Sequence, residues 1–502
     1  MDAVRLRNFR GLADTGMVIL KPITLLVGAN SSGKSSFLRM FPLFKQSVSA
    51  KTIGPLLWYG NEVDFGTFDT TLKKGESQMI ISFYWEELNA YRRIYHDNKT
   101  AIHNIMLTVV LEKEDDDASI NQFEIRFGDN IIRASRHPNS STCEVEVNGI
   151  SAREYGVEHV MMAPADRVLL PDIYMIGKTW SSFYSTPENL ILQLQKKLQQ
   201  TSLAEYAKKF STNIYAQIEC SSKKEMAKQI LQLLEIESID PELLILEESF
   251  NDFLNFYICS SVRSISDKID SVIADDFSSS FYIKPFRASA ERYYRWQNLN
   301  VNALDSDGHN MAMFVANMYK KEKTKARFKK WTKDLFKFEL DVRNPEGHLS
   351  LSIKEEDGEE YNIADKGFGY SQILPIILIL WQVYERVTNI TRTARGTAIV
   401  TIEQPELHLH PRLQAKLMDA FIVVLNEANK KGANLKFIIE THSQNMINRL
   451  GMKIARKEYD ASDATVLLFH EPKAEKPSPQ VATYDNEGFL SNWPVGFFDP
   501  ED

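Results

Sequence analysis

The chain has 502 residues, 43% of them hydrophobic and 25% charged, with a formal net charge of -8. That length implies more than one hydrophobic core and two or three domains, and the acidic balance excludes a protein that coats nucleic acid over its whole surface, so any DNA contact has to be local. Three scattered cysteines, Cys143, Cys220 and Cys259, suit a reducing compartment, residues 1–7 carry no apolar leader, and no apolar run reaches the roughly 18 residues of a membrane span; a cytoplasmic location without membrane contact is expected.

Residues 3–9 alternate in the strand sense, Asn8-Phe9-Arg10-Gly11 turns, and residues 16–20 make a second strand. Pro22-Ile23-Thr24-Leu25-Leu26-Val27 reads as a buried strand and feeds Gly28-Ala29-Asn30-Ser31-Ser32-Gly33-Lys34-Ser35, which has the Gly-x-x-x-x-Gly-Lys-Ser spacing of a phosphate-binding loop. A helix opens at Ser35. Strand, glycine loop and helix together let backbone N–H groups and the helix N-terminus surround phosphates, with Lys34 as a point charge at the β/γ end. ATP is the expected ligand, bound by Gly28, Asn30, Ser31, Ser32, Gly33, Lys34, Ser35 and Ser36. Mg²⁺ is expected on the Ser35 hydroxyl.

Residues 72–111 and 123–147 form short alternating strands with turns at Gly128-Asp129-Asn130 and Asn148-Gly149, an antiparallel sheet inserted after the loop helix. The acidic run Glu112, Glu114, Asp115, Asp116 and Asp117 reads as a solvated hairpin loop. From residue 189 the apolar spacing turns helical without sustaining a heptad, a packed helical insertion. Residues 319–337 carry Lys320, Lys321, Lys323, Lys325, Arg327, Lys329, Lys330, Lys333 and Lys337 against Glu322 and Asp334, a local +7. A solvated helix face is the first reading, and contact with DNA phosphates the second. Residues 373–381 read as a core helix. The expected organisation is an N-terminal lobe over 1–180, a helical insertion over 181–340 and a C-terminal lobe over 341–502.

Thr397-Ala398-Ile399-Val400-Thr401-Ile402-Glu403 is a buried strand ending in a carboxylate, the Walker B pattern, and Glu403 is expected to reach the Mg²⁺ held by Ser35. A further buried strand, residues 435–440, ends at Thr441-His442-Ser443. With these pieces the chain resembles P-loop ATPases of the ATP-binding-cassette type, in the branch containing the heads of SMC, RecF and OLD proteins. Leu6-Arg7-Asn8-Phe9-Arg10-Gly11 is similar to that branch's first strand, and Gly367-Phe368-Gly369-Tyr370-Ser371 to its signature loop. The resemblance implies an α/β head with a mixed sheet plus a mostly helical insertion. It implies a dimer in which Gly367, Gly369 and Ser371 of one subunit face the ATP held by another. It makes Glu403, Gln404, Glu406 and His442 the catalytic set, with His442 beside the γ-phosphate, and His408 and His410 loop-shaping residues. Gln46 and Gln78 are the candidates for a Q-loop. One position departs from the pattern. Where most cassette ATPases have a Glu after the Walker B acid, this chain has Gln404, which can orient a water but not deprotonate it. Either Glu406 or a water-mediated route supplies the base, or turnover is slow and ATP holds a closed dimer.

Pro285-Phe286-Arg287-Ala288-Ser289-Ala290-Glu291-Arg292-Tyr293-Tyr294 and Asn492-Trp493-Pro494-Val495-Gly496-Phe497-Phe498-Asp499 resemble segments of a bacterial ATPase group found in anti-phage operons, including the Septu-system ATPases and their retron-associated relatives. That resemblance implies a separately encoded HNH-type nuclease as partner. A DNA-repair head acting directly on DNA and an ATP-locked scaffold are the alternatives. The residues after His442 hold no clustered acidic triad, so nuclease activity of the chain's own is not expected.

Overall fold

The computed structural model of the chain describes residues 1–50, 52, 54–89, 101–114, 117–138, 140–163, 169–176, 187–297, 299–344, 347–389, 397–470, 479–494 and 497. They fall into two compact units: Leu20–Pro42 with Ser279–Asp502, and Met1–Ile19 with Leu43–Ser278.

In the first unit, Ile23–Gly28, Thr397–Glu403, Asn434–Glu440 and Ala464–Phe469 are apolar and buried along nearly their whole length. Strands without a polar face need cover on both sides, which a parallel sheet under helices provides. The sheet runs Phe281–Ile283, Thr397–Glu403, Asn434–Glu440, Ile23–Gly28, Ala464–Phe469, all parallel, and then Gln480–Tyr484 and Leu490–Ser491, both antiparallel. The α/β class and mixed sheet expected from the sequence are therefore present. Register sets Glu403 opposite Glu440 and Phe469 opposite Gly28. The apolar run at 373–381 lies within the helix Phe368–Thr388 and is buried throughout. The helix Pro411–Lys431 starts on a proline, as a first turn tolerates, and stops at Gly432 in the left-handed conformation. Trp493 and Phe497 stack edge to face at 4.8 Å and pack partly buried on the core, while Val495, Gly496, Phe498 and Asp499 lie outside the described residues.

The second unit is built on a nine-stranded sheet, antiparallel throughout, in the order Ile150–Ser151, Cys143–Val147, Asn130–Arg136, Asp117–Phe127, Ala101–Glu114, Gln78–Asn89, Ala3–Phe9, Leu12–Asp14, with Val18–Ile19 also on Ala3–Phe9. The strands reach further than alternation alone indicates. Glu112, Glu114 and Asp117 are strand residues and not loop, because Gln78 and Arg136 pair with Glu112 and Glu114, and the Trp58 indole donates to Asp117 at 3.1 Å. Asp115 and Asp116 lie outside the described residues. The helical region includes Pro187–Leu198, Lys223–Leu233 and the 31-residue helix Glu248–Ser278. All three cysteines are buried here, and burial pushes each thiol up to about 12, so they pack as apolar groups. Among the described residues no helix is long and apolar enough to cross a membrane.

Candidate nucleotide site

The loop after Ile23–Gly28 is shaped by how little room its first glycine has. Gly28 has φ 147, and a Cβ there would sit 2.2 Å from the carbonyl oxygen of Phe469 on the neighbouring strand, so only a hydrogen fits. Ser31 at φ 63 and Gly33 at φ 102 reverse the hand of the backbone relative to their neighbours, which gathers N–H groups into an anion-binding concavity. The helix Lys34–Ser49 begins at the loop, anchored by Phe37 against Phe469 at 5.8 Å between ring centres. Lys34 Nζ donates to the carbonyls of Gly28 at 2.9 Å and Ala29 at 2.6 Å. Burial lowers its pKa, and the charge of Glu440 opposes that shift. The Ser32 hydroxyl is buried with no hydrogen-bond partner, while Asn30 and Ser31 are exposed and Ser36 is half-buried. An orphaned buried hydroxyl beside a lysine and a helix N-terminus fits a phosphate oxygen.

Two carboxylates stand side by side where Thr397–Glu403 and Asn434–Glu440 end. Glu403, 2% exposed, is fully engaged: Arg39 forks onto both its oxygens at 2.7 Å each, and the Tyr282 hydroxyl donates to Oε1 at 2.6 Å. The pairing raises the pKa of Arg39. Glu440, 3% exposed, accepts the Ser35 hydroxyl on Oε1 at 2.9 Å, and its Oε2 is buried without a partner. Burial, and next the neighbouring Glu403, push Glu440 up to about 7. Thus the serine expected to share a metal with Glu403 bonds Glu440, and the expected Walker B acid holds an arginine.

Beyond the strands, Gln404 has φ 43 and donates its N–H to the Glu440 carbonyl at 2.8 Å. Glu406 accepts the His442 N–H on Oε1 at 2.6 Å and the Thr441 hydroxyl on Oε2 at 2.9 Å, and desolvation raises its pKa. His442 is exposed, and partial desolvation and then the charge of Lys34 lower its pKa. Ser443 caps the helix Gln444–Ala455. His410 caps Pro411–Lys431 through Nδ1, and His408 is exposed at φ 61. Among the described residues no group of three or more His, Cys, Asp or Glu side chains is placed to hold a metal. A nucleotide-bound Mg²⁺ needs less, one or two carboxylates with phosphates and waters, and Ser35 with the unsatisfied Glu440 oxygen fits it.

Gly367 caps Phe368–Thr388 at φ 79 and is exposed, Gly369 lies so close that a Cβ would be 3.1 Å from the His408 carbonyl, and Ser371 is buried. The signature segment is tied to the Walker B end by Arg287, 5% exposed, which donates to the carbonyls of Glu403 at 2.9 Å, Gln404 at 3.3 Å and Gln372 at 3.5 Å, while Gln372 donates back to the Arg287 carbonyl at 3.2 Å. Burial lowers the Arg287 pKa to about 10. Neither Q-loop candidate is idle: Gln46 bonds Leu57 and Val63 in a tight turn, and Gln78 bonds Glu112.

Sequence reading did not single out Glu440, Arg39, Tyr282 or Arg287. The signal for Glu440 was present, since two buried runs each end in Glu and parallel neighbours in register place such ends together. Nothing local marks the others. The basic segment forms the helix Glu322–Phe336, and four of its nine cations are paired: Arg327 with Glu385 at 2.9 Å, Lys329 with Asp341 at 2.6 Å, Lys333 with Glu339 at 3.0 Å and Lys337 with Glu356 at 4.0 Å. Lys320 and Lys325 lie over the rings of Trp296 and Tyr319.

A family model described as an AAA ATPase domain matches residues 1–447, which include the phosphate loop, Glu403, Gln404, Glu406, Glu440 and His442. No curated protein matches the chain. Solved structures similar to it include the Smc head domain of Pyrococcus furiosus with an extended coiled coil bound to the C-terminal domain of ScpA, at 12% identity, TM-score 0.32, covering 97% of this chain and 96% of that one. The SMC head domain of Thermotoga maritima aligns at 8% identity, TM-score 0.32, covering 96% and 98%. The recombination mediator protein RecF with ATPrS, of the RecFOR pathway, aligns at 12% identity, TM-score 0.24, covering 88% and 93%. On the family match, which spans both the phosphate loop and the paired carboxylate strands, the chain belongs to the AAA ATPase domain family.

Proposed function

We propose that the chain is a slow ATP switch of the cassette type: two copies close around ATP, and the closed state is passed to a separately encoded nuclease of the HNH class in cytoplasmic defence against phage. The observation that carries the slow-switch reading is the state of the two groups that follow Glu403. Gln404 is an amide and takes no proton from water. Glu406 has both oxygens committed to Thr441 and His442, so it acts as a brace for the histidine loop and not as a free base. What remains is binding and orientation. The loop amides and Lys34 hold the phosphates, His442 stands where the charge of Lys34 is felt, and Mg²⁺, when bound, would neutralise phosphate charge.

The nuclease partner is supported by the likeness of residues 285–294 and 492–499 to the anti-phage group. The net charge of -8 and the ion pairs of the basic helix favour a protein partner over DNA. Direct action on DNA keeps Lys321, Lys323 and Lys330, which are exposed and make neither an ion pair nor a ring contact among the described residues.

Restoring the missing acid tests the slow switch. Gln404→Glu is expected to raise steady-state ATP turnover at least about tenfold, because a positioned general base contributes roughly 10²–10⁴-fold; unchanged turnover would sink the reading. In sedimentation with a non-hydrolysable ATP analogue, the wild type should dimerise and Lys34→Ala should not. Equal behaviour of the two removes the closure step. Co-expression with the product of the neighbouring reading frame should give a complex whose DNA cleavage responds to ATP, and no complex would remove the partner.

A further inference from the structure

Glu403 and Glu440 share one position in the sheet and differ in what they have left to give. A carboxylate can accept about four hydrogen bonds. Glu403 takes three strong ones, two of them from a guanidinium fork whose geometry is the most specific a carboxylate meets. Its charge is already neutralised by Arg39. Glu440 has one bond, from Ser35, and a second oxygen that is buried and empty-handed. Leaving such an atom unmet costs about 1–3 kcal/mol, more if it is ionised, and native sites keep that cost where a ligand relieves it. The residue that touches Glu440 is the very serine whose hydroxyl a P-loop turns to the cation.

We propose that Glu440, and not Glu403, is the carboxylate that joins Ser35 in holding the divalent cation of the nucleotide complex, while Glu403 is a positioning residue that locks Arg39 and Tyr282 to the strand end. The assignment rests on the ATP reading above. It moves the role expected of Glu403 to its register partner, and it explains why Ser35 points at the strand Asn434–Glu440. A cation held there also gives the buried Glu440 oxygen the partner it lacks.

The test uses the full chain with Mn²⁺ in place of Mg²⁺ and a non-hydrolysable ATP analogue, with free Mn²⁺ read by electron paramagnetic resonance. Glu440→Gln is expected to weaken Mn²⁺ binding at least about tenfold, the scale of losses at metal-site residues, and Glu403→Gln to leave it within about threefold. In EDTA, a fluorescent ATP analogue should bind wild type and Glu440→Gln alike and should not bind Lys34→Ala. Because removing a buried carboxylate can disturb folding, Glu440→Cys supplies a positive signal: it should move preference from Mn²⁺ to Cd²⁺, with Cys143, Cys220 and Cys259 too deeply buried to compete. A tenfold Mn²⁺ loss in Glu403→Gln, a wild-type Mn²⁺ affinity in Glu440→Gln, or no Cd²⁺ preference in Glu440→Cys overturns the assignment. Wild-type protein that binds no nucleotide in EDTA overturns the ATP reading itself, a separate failure.

Discussion

A buried guanidinium persists where its N–H groups find acceptors, and the two terminal nitrogens of Arg287 find three main-chain carbonyls on two segments that meet at the site, while its buried Nε has no partner. Truncation would strand those carbonyls in a dry region. Arg287→Ala is expected to destabilise the protein by about 3 kcal/mol, measured as a shift in urea midpoint, with Arg287→Lys recovering less than half because an ammonium lacks the fork. A loss below about 1 kcal/mol would mean that water replaces the donors. Residues of this kind mark the limit of what sequence conveys. Gly28 to Ser35 could be read directly, since loop, lysine and helix start are contiguous and spacing alone fixes their chemistry. Arg39 and Glu403 are separated by 364 positions and Ser35 and Glu440 by 405, so their partnership depends on strand order and register, which no local pattern encodes.

At the scale of elements, composition located the buried strands well but not their neighbours. Residues 397–403 and 435–440 announce themselves as apolar runs, yet nothing in them says that Asn434–Glu440 separates the Walker B strand from the loop strand. The basic helix Glu322–Phe336 shows the same gap from the side of charge. Its local +7 falls to +3 once the four carboxylates from outside the segment that pair with it are subtracted, 7 - 4 = 3. A helix that gripped phosphates through Lys321, Lys323 and Lys330 would lose about three units of log–log salt slope when all three became Gln. The expected change in duplex DNA binding is below about one unit, and a loss of three would restore the DNA reading.

On the scale of the whole molecule, the nucleotide site draws on residues of one unit only, 28–36, 367–372, 403–406 and 440–442. ATP with Mg²⁺ should therefore slow amide exchange in Ile23–Gly28, Thr397–Glu403 and Asn434–Glu440, by a stabilisation of about 2.7 kcal/mol at a hundred times Kd. The strands Gln78–Asn89 and Asp117–Phe127 should exchange at their ATP-free rates. Even slowing across both sheets would contradict a site confined to one unit. The attachment of the loop helix bears on how such binding could move anything. Ser35 fastens its first turn to Asn434–Glu440, and Arg39, about 6 Å further along the axis, fastens it to Thr397–Glu403. A rod pinned at two points to two adjoining planks keeps neither rotation nor slide of its own. Nucleotide-driven motion then belongs to the tethered ends around it, the loop at 29–33 and the turns after 403 and 440, and the start of the helix serves as the fixed datum against which they shift.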